Sequence, residues 1–269
     1  MVTTALVAKA QDALDAELRR FVGDDPGRSV ALHLLDGPPL RAEIAADILR
    51  PAGSVVKLLP ALALYKAAER SEIDLDAAVT RGSLGTTMYP SILAAFHDDR
   101  PLTLREVCAL SLITSDNPAA EYIRNLVGPE RIAEICRDLR LRQTSLNVGF
   151  RDEQLGVVGR QNVSTAREAL WLIEHVERAP GLDELRRFLV NYQRNTRIPV
   201  RLDDDVPVMH KTGTLATVVN DVGVIRHPVG RIALAYFCDN QQDTALASVD
   251  IGDSALQIVE IVAELHDHP

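Results

Sequence analysis

Apolar residues recur along the chain at two different spacings, and each spacing predicts a different kind of element. Near the N-terminus Val7, Leu14, Leu18 and Phe21 lie at helical spacing with charged residues between them, which predicts an amphipathic helix. The same spacing returns in several segments between about residues 54 and 190. Short apolar runs bounded by turn residues, which predict strands, occur before this stretch and after it.

The predicted strands lie towards both ends of the chain. Residues 28–37 predict a strand that ends in the turn signal DGPP, and residues 40–50 predict a second strand or an irregular return. Towards the C-terminus the pattern predicts a three-stranded meander and then a helix, over residues 206–215, 219–230, 231–240 and 254–268.

Strands at both ends that enclose a helical middle favour an α+β fold with three layers, α/β/α. Its antiparallel sheet would be built from both chain termini. Residues 1–53 and 196–269 would form this α/β sheet region, and residues 54–195 an inserted helical region of the same unit. Because no low-complexity linker separates the two regions, we expect them to share an interface with a cleft, where sites usually lie.

Helix boundaries are indicated by capping residues. Thr103 followed by Glu106 is typical of a capping box at a helix start. Gly128 is expected to end the helix that follows the next loop. For a later helix we predict Ser164 as the cap and Glu168 as its partner.

Composition excludes several classes of protein. The 269 residues carry a formal net charge of −9 with no basic tract, which argues against nucleic acid as a partner. Cys108, Cys136 and Cys238 lie far apart, so we expect reduced thiols and neither a metal site nor a cofactor. No run of 18 apolar residues predicts a membrane span. The first residues do not resemble an export signal, so a cytoplasmic protein is expected unless such a signal was removed.

Lys57 is a charged residue in an otherwise apolar helical run, PAGSVVKLLPALALYKAAER. Residues three apart lie on one face of a helix, so its amine would reach the hydroxyl of Ser54. A serine nucleophile needs an adjacent base, and a buried lysine with a lowered pKa supplies one. The alternative is an ordinary lysine whose stem packs on the core while its ammonium lies in water.

Two further motifs change this picture, SDN at residues 115–117 and KTG at residues 211–213. With SVVK, SDN and KTG in this order, the sequence resembles the serine β-lactamases and penicillin-binding proteins, on the class A side. The stretches around SDN, QNVSTAREAL and VVNDVGVIR are also similar to segments of that family, so the resemblance covers roughly residues 25–265.

The resemblance implies a catalytic role for each of four residues. Ser54 would be the acylated nucleophile and Lys57 its proton partner. Ser115 would relay a proton to the leaving nitrogen or oxygen, and Lys211 would supply positive potential beside it. The backbone N–H groups of Ser54 and Thr214 would form the oxyanion hole.

The resemblance also implies the residues that bind substrate. Asn117 would hold the helical region to the sheet and contact the substrate amide. Thr212 and Thr214 would donate hydrogen bonds to a substrate carboxylate, and Gly213 would let a ligand approach the strand closely. Tyr89 either forms a wall of the cleft or is an ordinary core or surface tyrosine.

The class A pattern breaks at the position of the glutamate that activates the deacylating water. In register, Phe150 occupies that position, Val148 that of an arginine and Asn162 that of its aspartate partner. Without a positioned base, hydrolysis of an acyl-enzyme would be slow, because loss of a general base costs about 10²–10⁴ in rate. Glu153 is a candidate base if the loop is rearranged, and a solvated loop acid otherwise.

Two more positions bear on the chemistry. Val219 stands where the family has an arginine before the ND dipeptide, so Arg226 or Arg201 is a candidate to bind a carboxylate instead. His210, next to Lys211, either influences that lysine or simply flanks a strand.

These expectations leave two functions open. One is a serine hydrolase that forms an acyl-enzyme on Ser54 and cleaves a small-molecule β-lactam, D-alanyl peptide or ester, with slow β-lactam hydrolysis. The other is a penicillin-binding sensor module, or a metabolite acyltransferase, that binds ligand or is acylated without efficient turnover. The oligomeric state has no signature in the sequence.

Overall fold

Segments from both ends of the chain build one antiparallel sheet. The computed structural model describes residues 3–151 and 161–265. The five strands of the sheet are β1 Arg28–Leu34, β2 Arg41–Ile44, β7 Val208–Leu215, β8 Val218–His227 and β9 Gly230–Cys238. They lie in the order β2-β1-β9-β8-β7. Each neighbouring pair is antiparallel, which confirms the predicted sheet and its C-terminal meander.

Helices cover both faces of this sheet and complete the three layers of an α+β fold. On one face lie α1 (Thr4–Val22) and α7 (Thr244–Ala263). The helices of the described residues on the other side are α2 Leu58–Glu69, α3 Leu104–Ile113, α4 Asn117–Asp138, α5 Ala166–Arg178 and α6 Asp183–Val190. Within the described part of the chain, no helix has the length and apolar character needed to cross a membrane.

Alternation along the strands sends side chains into two separate apolar cores. In β9, Leu234 and Tyr236 pack against the α1 and α7 layer, whereas Ala235 and Phe237 pack against the helical region. Successive residues of a strand point to opposite faces, so a single strand contributes to both cores. The division of the chain at residues 53 and 195 into two regions stays a prediction.

The middle of the chain is less uniformly helical than its spacing suggests. It contains one short strand pair, β4 (Ala78–Thr80) with β5 (Pro101–Thr103), and the strand β6 (Val163–Ser164), which pairs with β3 (Arg50–Pro51) just before this stretch. The second predicted strand is also divided, because Ala45 adopts a φ of 52° between β2 and β3. A left-handed residue ends strand pairing, so the return from β2 is irregular, as the alternative allowed.

Two of the three predicted helix boundaries are confirmed, and the capping residues of α5 are corrected. Thr103 and Glu106 form the reciprocal capping box of α3. Gly128, whose φ is 76°, breaks the helical conformation of α4, so a first helical segment ends there and a second continues to Asp138. The cap of α5 is Thr165, which accepts a hydrogen bond from the backbone of Glu168 at 3.1 Å. The prediction of Ser164 was wrong, because only the residue three positions before that backbone N–H is placed to accept it.

Candidate active site

Ser54 lies in a short 3-10 turn, Gly53–Lys57, that leads into α2. The turn packs backbone to backbone against β7. A Cβ on Gly53 would lie 2.9 Å from the nitrogen of Thr214, and a Cβ on Gly213 would lie 2.2 Å from the oxygen of Ala52. The two glycines therefore allow the contact that brings the amides of the Ser54 turn and of Thr214 to one place.

Lys57 is completely buried, which contradicts the alternative of an ammonium that lies in water. Its ammonium donates to the backbone oxygen of Ser115 at 2.7 Å, to the Ser115 hydroxyl at 3.3 Å and to Oδ1 of Asn117 at 2.7 Å. Among the described residues, its hydrogen bonds all go to the SDN segment and not to Ser54 as the helical spacing suggests. Lys57 thus joins the turn of Ser54 to the start of α4.

The hydroxyl of Ser115 lies between two lysines. Lys211, also fully buried, donates to it at 2.9 Å, and Lys57 donates from the other side. Ser115 has a φ of 58°, a left-handed conformation that costs a non-glycine residue about 1–3 kcal/mol. Asp116 supports this conformation, because it caps α4 through Ala119 at 2.9 Å and accepts a hydrogen bond from Ser91. The SDN motif therefore caps α4 through Asp116 and also accepts hydrogen bonds from both lysines through Ser115.

Burial and nearby positive charges lower the pKa of both lysines. Burial, followed by the nearby charge of Lys211, holds the pKa of Lys57 well below its ordinary value. Burial, followed by the charge of Arg194, lowers the pKa of Lys211 in the same way. The low dielectric disfavours the charged form of each amine, so a neutral, basic lysine is accessible beside Ser115.

A cleft of about 680 Å³ opens above this cluster. Residues predicted from the sequence that line it are Ser54, Tyr89, Ser115, Asn117, Thr212 and Thr214. Tyr89 is 48 % exposed, so it is a wall residue and not part of the core. Arg194 also lines the cleft, and no aspartate or glutamate of the described residues does so. The cleft therefore offers hydroxyl donors and positive charge to an anionic group.

Tyr192 and Arg197 are functional candidates that the sequence did not indicate. The buried Tyr192 hydroxyl contacts the hydroxyl of Thr212 and accepts from Lys211 at 3.2 Å. Arg197, also buried, donates to the Thr214 hydroxyl at 2.7 Å and to the backbone oxygen of Gly213 at 3.0 Å. Both residues follow α6 in a loop without a recognisable motif, so only the folded chain shows that they meet β7.

The alternative carboxylate-binding arginines lie elsewhere. Arg226 pairs with Glu177 at 2.7 Å, and Arg201 pairs with Asp253 at 2.7 Å. Neither lines the cleft, so the suggestion that one of them binds a substrate carboxylate was wrong.

Phe150 is buried and lines the cleft beside Lys57. Its ring centre lies 5.2 Å from the Lys57 nitrogen, and its backbone N–H donates to Glu121 at 2.7 Å. The loop is closed at its base by Asn162, whose side chain accepts from the backbone of Val148 at 2.9 Å. A hydrogen bond from a backbone N–H to a side-chain amide thus joins the two positions where the resemblance implies an arginine and its aspartate partner. Glu153, the candidate base, lies outside the described residues.

The sequence matches the model of a known protein family. A model described as the beta-lactamase enzyme family matches residues 12–262. The chain belongs to this family. No curated protein matches the sequence.

Solved structures of similar fold agree with the family. A β-lactamase from Sphaerobacter thermophilus is 21% identical with a TM-score of 0.85, covering 94% of this chain and 98% of its own. A class A β-lactamase from Bacteroides cellulosilyticus is 21% identical with a TM-score of 0.84, covering 95% and 99%. PBP-A is 20% identical with a TM-score of 0.82, covering 93% and 96%. This family member therefore has the fold of the serine β-lactamases and penicillin-binding proteins.

Proposed function

We propose that the protein is a serine hydrolase that forms an acyl-enzyme on Ser54 and releases the acyl group slowly. The observation that carries this proposal is the buried pair Lys57 and Lys211, which share the Ser115 hydroxyl next to the turn of Ser54. Two buried amines with lowered pKa values around one hydroxyl are suited to move protons and are poorly suited to mere structural support.

The proposed acylation begins when the Ser54 oxygen attacks the substrate carbonyl carbon and its proton passes to neutral Lys57. The carbonyl π electrons move to oxygen, which accepts hydrogen bonds from the backbone N–H groups of Ser54 and Thr214. When the C–N or C–O bond breaks, Ser115 donates its proton to the leaving atom and regains one from Lys57. Lys211 lowers the energy of the transient serine oxyanion at Ser115.

The substrate class follows from the hydroxyl groups and positive charge of the cleft. Thr212 and Thr214 line it next to Lys211, so a small molecule with a carboxylate beside its scissile bond fits there. A β-lactam, a D-alanyl peptide and an anionic ester all have this chemistry. Asn117, which lines the cleft while its Oδ1 is held by Lys57, is placed to donate its amide hydrogens to the substrate.

Phe150 is the reason to propose slow release of the acyl group. Its buried ring occupies the position beside Lys57 where a carboxylate would be needed to activate water. The same observation favours the second candidate, a penicillin-binding sensor or an acyltransferase that is acylated without efficient hydrolysis. Among the proteins of similar fold, a variant of PBP-A was solved as an acyl-enzyme complex with penicillin G.

Labelling with a fluorescent penicillin tests the proposal, alongside a panel of esters, D-alanyl peptides and other β-lactams. We expect covalent labelling of the wild-type protein and none of Ser54→Ala. Ser248→Ala, which changes a serine on α7 that donates to Thr244, is the matched control and should label normally. Persistent labelling of Ser54→Ala, or no adduct with any member of the panel, would overturn the assignment of the nucleophile.

A further inference from the structure

The loop from Asn191 to Ile198 forms one wall of the cleft and carries residues with different tasks. Arg194 lines the cleft, while Tyr192 and Arg197 reach underneath it to β7. The position of this loop therefore sets where the hydroxyl of Tyr192 meets its partners.

His210 connects this loop to the sheet. Its imidazole is 1 % exposed, and Nδ1 lies 3.0 and 3.1 Å from the two carboxylate oxygens of Asp221 on β8. The other ring nitrogen, Nε2, lies 3.0 Å from Oδ1 of Asn195 in the loop. Asp221 also accepts the backbone N–H of Ile198 at 3.1 Å. His210 and Asp221 together thus hold the loop at two points.

The imidazole also contacts Tyr192, whose hydroxyl is hydrogen-bonded to Lys211. Its ring meets that of Tyr192 edge to face, with centres 4.9 Å apart and an angle of 85° between planes. The Tyr192 hydroxyl in turn contacts Thr212 and accepts a hydrogen bond from Lys211. Lys211 contacts Ser115, so an unbroken chain of contacts runs from His210 to the reacting hydroxyl.

We propose that His210 is a positioning residue that fastens the loop of residues 191–198 to the sheet and thereby fixes Tyr192 against Lys211 and Thr212. The role is separate from proton transfer, because the imidazole contacts Asp221, Asn195 and Tyr192 and does not line the cleft. A ring with two hydrogen-bonding nitrogens in fixed directions is suited to join a carboxylate to a side-chain amide. The expected effect on the acylation rate rests on the proposed function, whereas the fastening of the loop does not depend on it.

The test removes the contact between His210 and the loop by changing the loop residue, Asn195. Asn195 is exposed, so Asn195→Ala should fold, and it deletes the partner of Nε2. Asn191→Ala is the matched control, since Asn191 is exposed in the same loop but donates to Arg187. Amide hydrogen exchange followed by mass spectrometry should be about two- to tenfold faster in residues 191–198 of Asn195→Ala, as loss of one hydrogen bond implies. It should be unchanged in the control.

The kinetic arm separates positioning from mere support of the fold. In saturation kinetics with a fluorescent penicillin, Asn195→Ala should lower the limiting acylation rate about tenfold or more, because displaced catalytic groups act mainly on the chemical step. The dissociation constant of the initial complex should change much less, and the Tm should match that of the control. His210→Asn, which keeps a donor for Asp221 but cannot reach Asn195, should have the same effect.

These experiments distinguish a failure of the role proposed for His210 from a failure of the proposed function. Unchanged exchange in Asn195→Ala would overturn the fastening, and faster exchange with an unchanged acylation rate would overturn the positioning role. If the wild-type protein is not acylated at all, the proposed function fails, while the exchange experiment still decides whether His210 holds the loop.

Discussion

At the scale of single residues, the site depends on how two lysines share one serine. Lys57 and Lys211 are both fully buried, and both contact the hydroxyl of Ser115. Hydrogen-bond acceptors around Lys57 favour its ammonium form, whereas burial and the second cation favour the neutral amine. Burial is the larger effect, so the Lys57 pKa is lowered and the amine can act as a base.

The acylation rate should therefore rise with pH and level off below the ordinary lysine value of 10.5. Below its pKa in the folded protein Lys57 is charged and cannot accept the Ser54 proton; above that pKa it is neutral and can. The measurement is the second-order acylation rate against pH, with a β-lactam that does not titrate in this range. A midpoint at or above 10.5 would contradict the assignment of Lys57 as base.

The lowered pKa of Lys57 also makes the free energy of unfolding depend on pH. Because the pKa of Lys57 is lower in the folded than in the unfolded protein, the unfolded chain binds more protons between these two values. The free energy of unfolding should therefore rise with pH across that window. Urea unfolding of wild type and Lys57→Met at several pH values measures this, and the slope should be smaller in the variant. An equal slope would show that Lys57 is not shifted.

Phe150 is the residue on which slow release of the acyl group depends. Phe150→Glu should speed hydrolysis of a preformed acyl-enzyme by about 10²–10⁴, the usual effect of a general base. Phe150→Gln is the matched control, because it removes the ring and adds a polar group without a base. Equal deacylation rates in the two variants, measured by loss of bound fluorophore, would show that a missing carboxylate is not the cause.

How far the sequence predicts these residues depends on how local each signal is. Ser54, Ser115 and Lys211 stand in short motifs, and the structure brings all three to one cleft or its floor. Tyr192 and Arg197 have no motif, because their role exists only where their loop meets β7. Such contacts join residues 16 or more positions apart in the chain and carry no local pattern.

At the scale of elements, the base of the loop that carries Phe150 is organised by a buried carboxylate. Glu168 accepts hydrogen bonds from the backbones of Arg142, Gln143 and Thr144 and from the hydroxyl of Thr144. The sequence suggested Glu168 as the capping partner of Ser164, but its backbone N–H is capped by Thr165 instead. Helix propensity does not indicate the role of the Glu168 side chain, whose carboxylate oxygens accept hydrogen bonds from a turn 24 to 26 residues earlier in the chain.

Glu168→Gln should lower the free energy of unfolding by about 1–3 kcal/mol, because one acceptor oxygen becomes a donor that faces other donors in a buried place. Denaturant unfolding measures the loss. Glu130→Gln, an exposed glutamate on α4, is the control and should change the stability by less than about 0.5 kcal/mol. Equal stability of the two variants would show that the carboxylate does not organise the turn.

At the scale of the whole molecule, the cleft lies where the sheet meets the helical region. Asn220 on β8 is fully buried and joins the sheet to β3, which comes just before the turn of Ser54, since its side chain donates to Pro51 at 2.8 Å and accepts from Cys238 at 3.1 Å. Short apolar runs towards both chain ends predict this sheet, and the helical spacing between them predicts the inserted layer. The approach of Gly53 to β7 is not predictable from spacing, because it depends on the missing side chains at two distant glycines.

Gly213→Ala tests this junction. The added Cβ would lie 2.2 Å from the backbone oxygen of Ala52, so the turn of Ser54 and β7 must separate. Overpacking of this kind costs about 1–3 kcal/mol, and we expect a lower Tm together with slower acylation. Wild-type acylation kinetics in this variant would show that the close approach does not shape the oxyanion hole.

Intact-mass spectrometry over time tests the central claim most directly. The protein is mixed with excess β-lactam, the unbound compound is removed, and the mass is followed for hours beside Ser54→Ala and Phe150→Glu. We expect the wild-type protein to gain the full mass of one β-lactam and keep it, Ser54→Ala to gain none, and Phe150→Glu to lose the adduct fastest. An unmodified wild-type protein that leaves the β-lactam intact, or one that hydrolyses it rapidly with Phe150 in place, would contradict the account.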